Sequence, residues 1–400
     1  MQPNAGDPSA TRHRVGCLVA AGGLALTVAC GAMDPTARVL RLDDPSSDLD
    51  LALPEITWTG DVWQVMICRV PTDSGDPIYV RDDVRLEASV GDIVQSIRPV
   101  SDYFARWSAG RYTLEFVPGP DLGITGTETA QSCLDAGLDA SDPDATGVVV
   151  IADAPHRDDR PGGWSQPGIG CANDTCPARQ SRRGVYLGAA DFLVLDQASA
   201  EVPLDLVEHE IGHALGWPHS SRHSSRYDSV IDLMSDSAAP RRLSPSRRHG
   251  PGVLAFHRLS AGWLDPERVM VLGPRTTRVA LGSIGDRDRA EMAVIRLDRH
   301  RVLTIEVIAD AGDNDHLVES GVAVHLIEWG PEVCADPGDD GLCTGVDRRV
   351  TVLISADSTD ELLAPGQSIG YGDVMVEVID LVTHSSEIDS VVATVHVRQP

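Results

Sequence analysis

The rhythm of apolar and polar positions changes near residue 268. Ile56 to Val70 is an almost unbroken apolar and β-branched run, which predicts a buried strand. Ile93, Val94, Ile97, Val100, Tyr103 and Phe104 recur at helical spacing, so a helix is expected from Ile93 to Trp107, ending before Gly110. Arg111–Val117, Gly147–Ile151 and Gly184–Ala189 read as further strands. A long loop rich in Gly, Pro and Asp runs from Ala152 to Arg183. Val202 to Gly216 reads as a helix with Pro203 in its first turn. Together these predict an α+β domain, a mixed sheet with helices, over 55–268. Beyond it, short apolar runs are separated by turn residues: Arg268–Leu272, Thr277–Leu281, Met292–Leu297, Val302–Ile308, Val322–Ile327, Val350–Ile354, Val374–Ile379 and Val391–Val397. That spacing predicts an all-β sandwich over 269–400.

Before residue 55 the pattern is of another kind. Arg12 and Arg14 precede an apolar stretch from Val15 to Cys30, too short for a membrane helix of about 20 residues and suited to an export signal over 1–30. Leu26-Thr27-Val28-Ala29-Cys30 resembles a bacterial lipoprotein signal, with Cys30 the lipidated residue and Thr27 a departure from it. Residues 31–54, with Pro35, Pro45, Pro54 and many Asp, read as a linker. An exported protein, extracellular or tethered at the cell surface, is the expectation, with a membrane contact only through that anchor.

Charge narrows the function classes. The 400 residues carry 60 acidic and 33 basic side chains, a net charge of -27, and no lysine occurs. A duplex nucleic-acid binder needs a dense cationic face, which this balance argues against. Outside the signal stand Cys68, Cys133, Cys171, Cys176, Cys334 and Cys343. An even number in an exported chain suggests disulfides. Local spacing favours Cys171–Cys176 and Cys334–Cys343, leaving Cys68–Cys133, although spacing alone does not choose among the connectivities.

One segment carries chemistry: His209-Glu210-Ile211-Gly212-His213-Ala214-Leu215-Gly216-Trp217-Pro218-His219. His209 and His213 lie four apart on one helix face, about 6 Å along the axis, where two imidazoles can meet one Zn2+ ion. A straight helix would carry His219 about 9 Å further and around the barrel. Gly216 and Pro218 instead predict a helix end that turns the chain back. Three imidazoles leave a fourth position for water, the pattern of a catalytic zinc site. Glu210, next to the first ligand, is the candidate general base for metal-assisted amide hydrolysis.

This motif resembles that of the metzincin zinc endopeptidases. Met234, within Ser229-Val230-Ile231-Asp232-Leu233-Met234-Ser235, fits that family's Met-turn. Ser108-Ala109-Gly110-Arg111 and Leu259-Ser260-Ala261-Gly262-Trp263-Leu264 are similar to the gametolysin-like and immune-inhibitor-A-like branches, which carry a β-rich C-terminal domain. The resemblance implies an exported, zinc-dependent endopeptidase, a monomer acting on proteins or peptides. It also implies an edge strand that receives extended substrate, for which Val185, Tyr186 and Leu187 are candidates. Two departures stand out. Asp236 occupies the place, two after Met234, where astacins and serralysins have a tyrosine. Cys68-Arg69-Val70-Pro71 is only faintly similar to a cysteine-switch segment and sits in an expected strand.

Other readings stay open. The chain could be a non-catalytic binding module on a peptidase scaffold, or a zinc amidase acting on cell-wall peptides. Ca2+ would suit the acid-rich loops Asp310–Asp315 and Asp336–Asp340, though neither spells an EF-hand and solvated turns are the ordinary reading. Asp205 is a candidate for orienting a ligand imidazole through its other ring nitrogen.

Overall fold

A computed structural model of the chain describes residues 37–39, 57–69, 85–124, 129–154, 163–166, 182–188, 203–222, 227–275, 277–329, 348–354, 360–384 and 390–399. These belong to one compact unit, Asp34–Pro400; Met1–Met33, with Cys30, lies outside the described residues. In chain order the elements are β1 (Ala37–Val39), β2 (Gly60–Arg69), α1 (Val90–Ile97), α2 (Pro99–Trp107), β3 (Thr113–Pro118), β4 (Leu122–Gly123), α3 (Thr129–Ala140), β5 (Gly147–Ala152), β6 (Gly163–Gln166) and β7 (Arg183–Leu187). Then follow α4 (Leu204–Ala214), β8 (Ser220–Ser221), α5 (Ala239–Leu243), α6 (Ala255–Ser260), β9 (Val269–Leu272), β10 (Thr277–Gly282), β11 (Met292–Arg296) and β12 (Arg301–Ile308). The last are β13 (Gly321–Trp329), β14 (Arg348–Val352), β15 (Ser368–Tyr371), β16 (Val374–His384) and β17 (Ser390–Arg398).

The first sheet runs β3-β2-β5-β7-β6, parallel except for β6, which is antiparallel to β7. Alternation along its strands sorts the core. Trp63, Val65, Ile67, Val149, Ile151, Val185 and Leu187 face α1, α2 and α4. Met66, Cys68, Val148, Val150 and Tyr186 face α3. A parallel sheet covered on both faces explains why its strands read as continuous apolar runs. The helix expected over Ile93–Trp107 is two helices. The first opens on a capping box, Ser89 with Asp92, and the second starts at Pro99, which has no N–H to continue the ladder. Helix α3 has no counterpart among the elements expected from the sequence. A disulfide between Cys68 of β2 and Cys133 of α3, with Cα atoms 5.7 Å apart, ties it to the sheet. That bond removes Cys68 from any switch role. Cys171, Cys176, Cys334 and Cys343 lie outside the described residues.

The C-terminal strands form two sheets. One is antiparallel, β10-β17-β16-β15; the other has seven strands, β1-β9-β11-β12-β13-β14-β8. Apolar side chains of both close on one core, including Ile295, Leu303, Ile305 and Val324 against Val279, Val376, Val391 and Val395. The seven-stranded sheet takes strands from both sides of residue 268. Strand β1, inside the segment read as a linker, pairs with β9, and β8 pairs with β14. Its second face is buried too. Met292, Val294, Val302, Ala323, Ile327 and Val350 pack on Ile231, Leu254, Phe256 and Leu259. Among the described residues, no helix is long and apolar enough to cross a membrane.

Candidate metal centre

Helix α4 begins after Pro203, which sits at the N-cap rather than inside the first turn, and packs on β6 and β7. Its end has a specific geometry. The amide of Trp217 bonds the carbonyl of Gly212 at 3.0 Å, and the amide of Gly216 bonds that of His213 at 2.8 Å. Gly216 has φ +88°, the left-handed conformation this closing motif requires. The chain reverses there and brings His219 back over the helix.

The outcome is a cluster of three imidazoles. Nε2 of His213 lies 3.1 Å from Nε2 of His209 and 2.8 Å from Nε2 of His219. Among the described residues this is the one group of His, Cys, Asp or Glu side chains placed to hold a metal ion. The opposite ring nitrogens fix its chemistry. Nδ1 of His209 is 2.8 Å from the carbonyl of Leu233, and Nδ1 of His213 is 2.8 Å from the carbonyl of Trp217. A carbonyl oxygen only accepts, so both Nδ1 atoms carry the proton and both Nε2 atoms keep a bare lone pair. Burial pushes both imidazoles down to about 3, and each is also repelled by the next ring in the cluster. Neutral rings with lone pairs converging at such distances repel one another unless a cation lies between them. The donor set therefore fits a divalent metal.

Glu210, next to His209 in sequence, is buried on α4. Met234 is fully buried beneath the helix. A Cβ on Gly212 would stand 2.5 Å from its Sδ and 2.9 Å from the Trp217 ring, so the glycine is what lets the methionine turn approach. The same turn supplies the Leu233 carbonyl to His209, and the Met234 carbonyl accepts the amide of Ser220 at 2.9 Å. Tyr227 was missed in the sequence. Its hydroxyl is 3.0 Å from Nε2 of His219, with ring centroids 4.9 Å apart, and its backbone is left-handed at φ +63°. No spacing rule marks it. The available signal was a lone aromatic in the Ser- and Arg-rich stretch between the third histidine and Met234.

Several sequence readings are corrected. Asp205 does not orient an imidazole. Its carboxylate takes two hydrogen bonds from Arg241, at 3.1 and 3.0 Å. Backbone carbonyls do that work. Glu208, fully buried, accepts from His249 and from the amide of Gly250 at 2.9 Å. Asp205 and Glu208 thus tie the back of α4 to the 241–250 segment. Val185, Tyr186 and Leu187 are not on an edge. They are buried in β7 between β5 and β6, and the edge belongs to β6, which the Gly- and Pro-rich composition around it disguised as loop. The described loop Asp310–Asp315 does not converge on a cation. Asp313 faces Arg106 at 2.8 Å, Asp315 faces Arg247 at 3.3 Å, and Asp310 takes the Ser320 hydroxyl. Asp336–Asp340 lies outside the described residues.

No family model matches the chain, and no curated protein matches it. Among solved structures, a chain from a chaperone–substrate complex is similar over 43% of this chain at 13% identity, with a TM-score of 0.25. This chain spans 25% of that one, and a likeness at this level carries no argument about fold or function.

Proposed function

We propose that this protein is an exported zinc-dependent endopeptidase. The observation that carries the reading is the convergence of three imidazole Nε2 atoms, two of them left unprotonated because backbone carbonyls hold the ring proton on Nδ1. A zinc ion held by His209, His213 and His219 would supply Lewis-acid polarisation of a scissile carbonyl and of water. Glu210, buried and next to His209 in sequence, takes the proton of the attacking water and passes it to the leaving amine. Tyr227, half exposed above the cluster, offers a phenolic O–H to the oxygen on which negative charge develops. Strand β6, with its outer edge unpaired among the described residues, is where an extended peptide would add by backbone hydrogen bonds.

The test joins metal content to cleavage. The purified protein is expected to contain close to one zinc per chain and to digest casein, with activity lost to a chelator and restored by zinc. Glu210→Ala should keep the zinc and lose roughly a thousandfold in kcat/KM. Zinc without cleavage of casein, but with release of peptides from purified cell wall, would move the substrate to cell-wall amides. A zinc-free protein that is stable and inert would leave a binding module.

A further inference from the structure

The chain between His219 and Met234 is held from the C-terminal half at three places. Immediately after His219, Ser220 and Ser221 pair in parallel with Val350 and Thr351 of β14. The carbonyl of Val230 lies 2.8 Å from Nε2 of His316. The third hold is Glu361, a buried carboxylate far away in sequence. It accepts the amide of Val230 at 3.0 Å and the hydroxyl of Ser229, and the guanidinium of Arg222 lies 3.7 Å from its Oε1. The amide of Arg222 in turn bonds Asp228 at 2.6 Å. One side chain therefore meets the chain on both sides of Tyr227, three residues beyond the third imidazole and two residues beyond the phenol.

We propose that Glu361 is a positioning residue for the metal centre. It clamps the two ends of the Arg222–Val230 segment and so fixes where His219 and the Tyr227 hydroxyl stand. The inference rests on the metal-binding reading above and extends it, because it assigns part of the site to a residue outside the histidine motif and outside the half that carries it. A carboxylate suits the task. It can receive a backbone amide, a hydroxyl and a guanidinium at once, and removing it leaves a buried amide unsatisfied.

Two readouts on the full chain test this. In metal-free protein, Glu361→Ala should speed amide hydrogen exchange across 219–234 while exchange in α4 stays unchanged. Zinc affinity, measured by competition with a chromophoric chelator, should fall about tenfold or more. Glu361→Gln still accepts the Val230 amide and should restore most of both. Unchanged exchange in the alanine variant would overturn the clamp. Faster exchange with wild-type zinc affinity would overturn its role at the metal. Absence of zinc binding in the wild type would remove the peptidase reading, while the exchange data would still decide whether Glu361 holds the segment.

Discussion

Two carbonyl oxygens, those of Leu233 and Trp217, decide what the imidazoles of α4 are able to do. By accepting from Nδ1 they leave Nε2 of His209 and His213 unprotonated and aimed at a common point. The convergence of His209, His213 and His219 was legible, because their spacing on a turned helix end sets where the rings meet. Their orienting partners were not, because a backbone carbonyl has no signature in sequence and lies wherever the turn places it. Asp205, the carboxylate expected from the sequence to serve, is instead paired with Arg241. Tyr227 was illegible for a related reason: it reaches the cluster through a left-handed backbone that non-glycine residues seldom adopt. If its phenol serves the developing oxyanion, Tyr227→Phe should lower kcat by about a hundredfold and leave KM nearly unchanged. Steady-state kinetics on a peptide substrate reads this directly. A rise in KM alone would assign the ring to substrate binding.

At the scale of elements, the ending of α4 was legible, since Gly216 and Pro218 leave few alternatives to a turned helix end. The break at Pro99 was available in the sequence, yet the continuous apolar stripe concealed it. Helix α3 has a thin apolar face of Cys133, Leu134 and Leu138 among small and acidic residues, too little to announce a helix without the disulfide that anchors it. Closing a loop of 65 residues, the Cys68–Cys133 bond is expected to stabilise the fold by about 4 kcal/mol. Denaturation of the Cys68→Ala/Cys133→Ala double variant against wild type measures it. The back of α4 adds a pH dependence. Burial, opposed by the hydrogen bonds of His249 and Gly250, raises Glu208 to about 7. His249 is drawn above its usual value by the hydrogen bond and charge of Glu208, although its own burial opposes this. Both groups bind protons more tightly folded than unfolded, so their contribution is present at low pH and is lost as pH rises. For Glu208 the loss falls between 4.5 and about 7. Glu208→Gln should flatten that part of the stability–pH profile, as followed by thermal melting between pH 4.5 and 8.

For the whole molecule, the change of rhythm at residue 268 marked where helices give way to strands, and the strand runs after it lie close to their observed places. What the rhythm left hidden is that the seven-stranded sheet is buried on both faces. One face meets the four-stranded sheet, and the other meets Ile231, Leu254 and Phe256 from the methionine-turn side. Long-range pairing of two residues, such as β8 on β14, leaves no periodic trace. A chain ending at Arg268 lacks the sheet face that covers Ile231, Leu254, Phe256 and Leu259. It is expected to be insoluble or unable to bind zinc; a soluble, zinc-loaded product of that length would show that the two halves fold independently.

The short pairing of Ser220 and Ser221 with β14 has a thermodynamic corollary. Free-energy coupling is reciprocal, so whatever the distant strand contributes to metal affinity, the metal returns to the distant strand. If the histidines bind the proposed ion, loading them should therefore slow amide exchange at Val350–Val352, well outside α4, and stripping the ion should quicken it again.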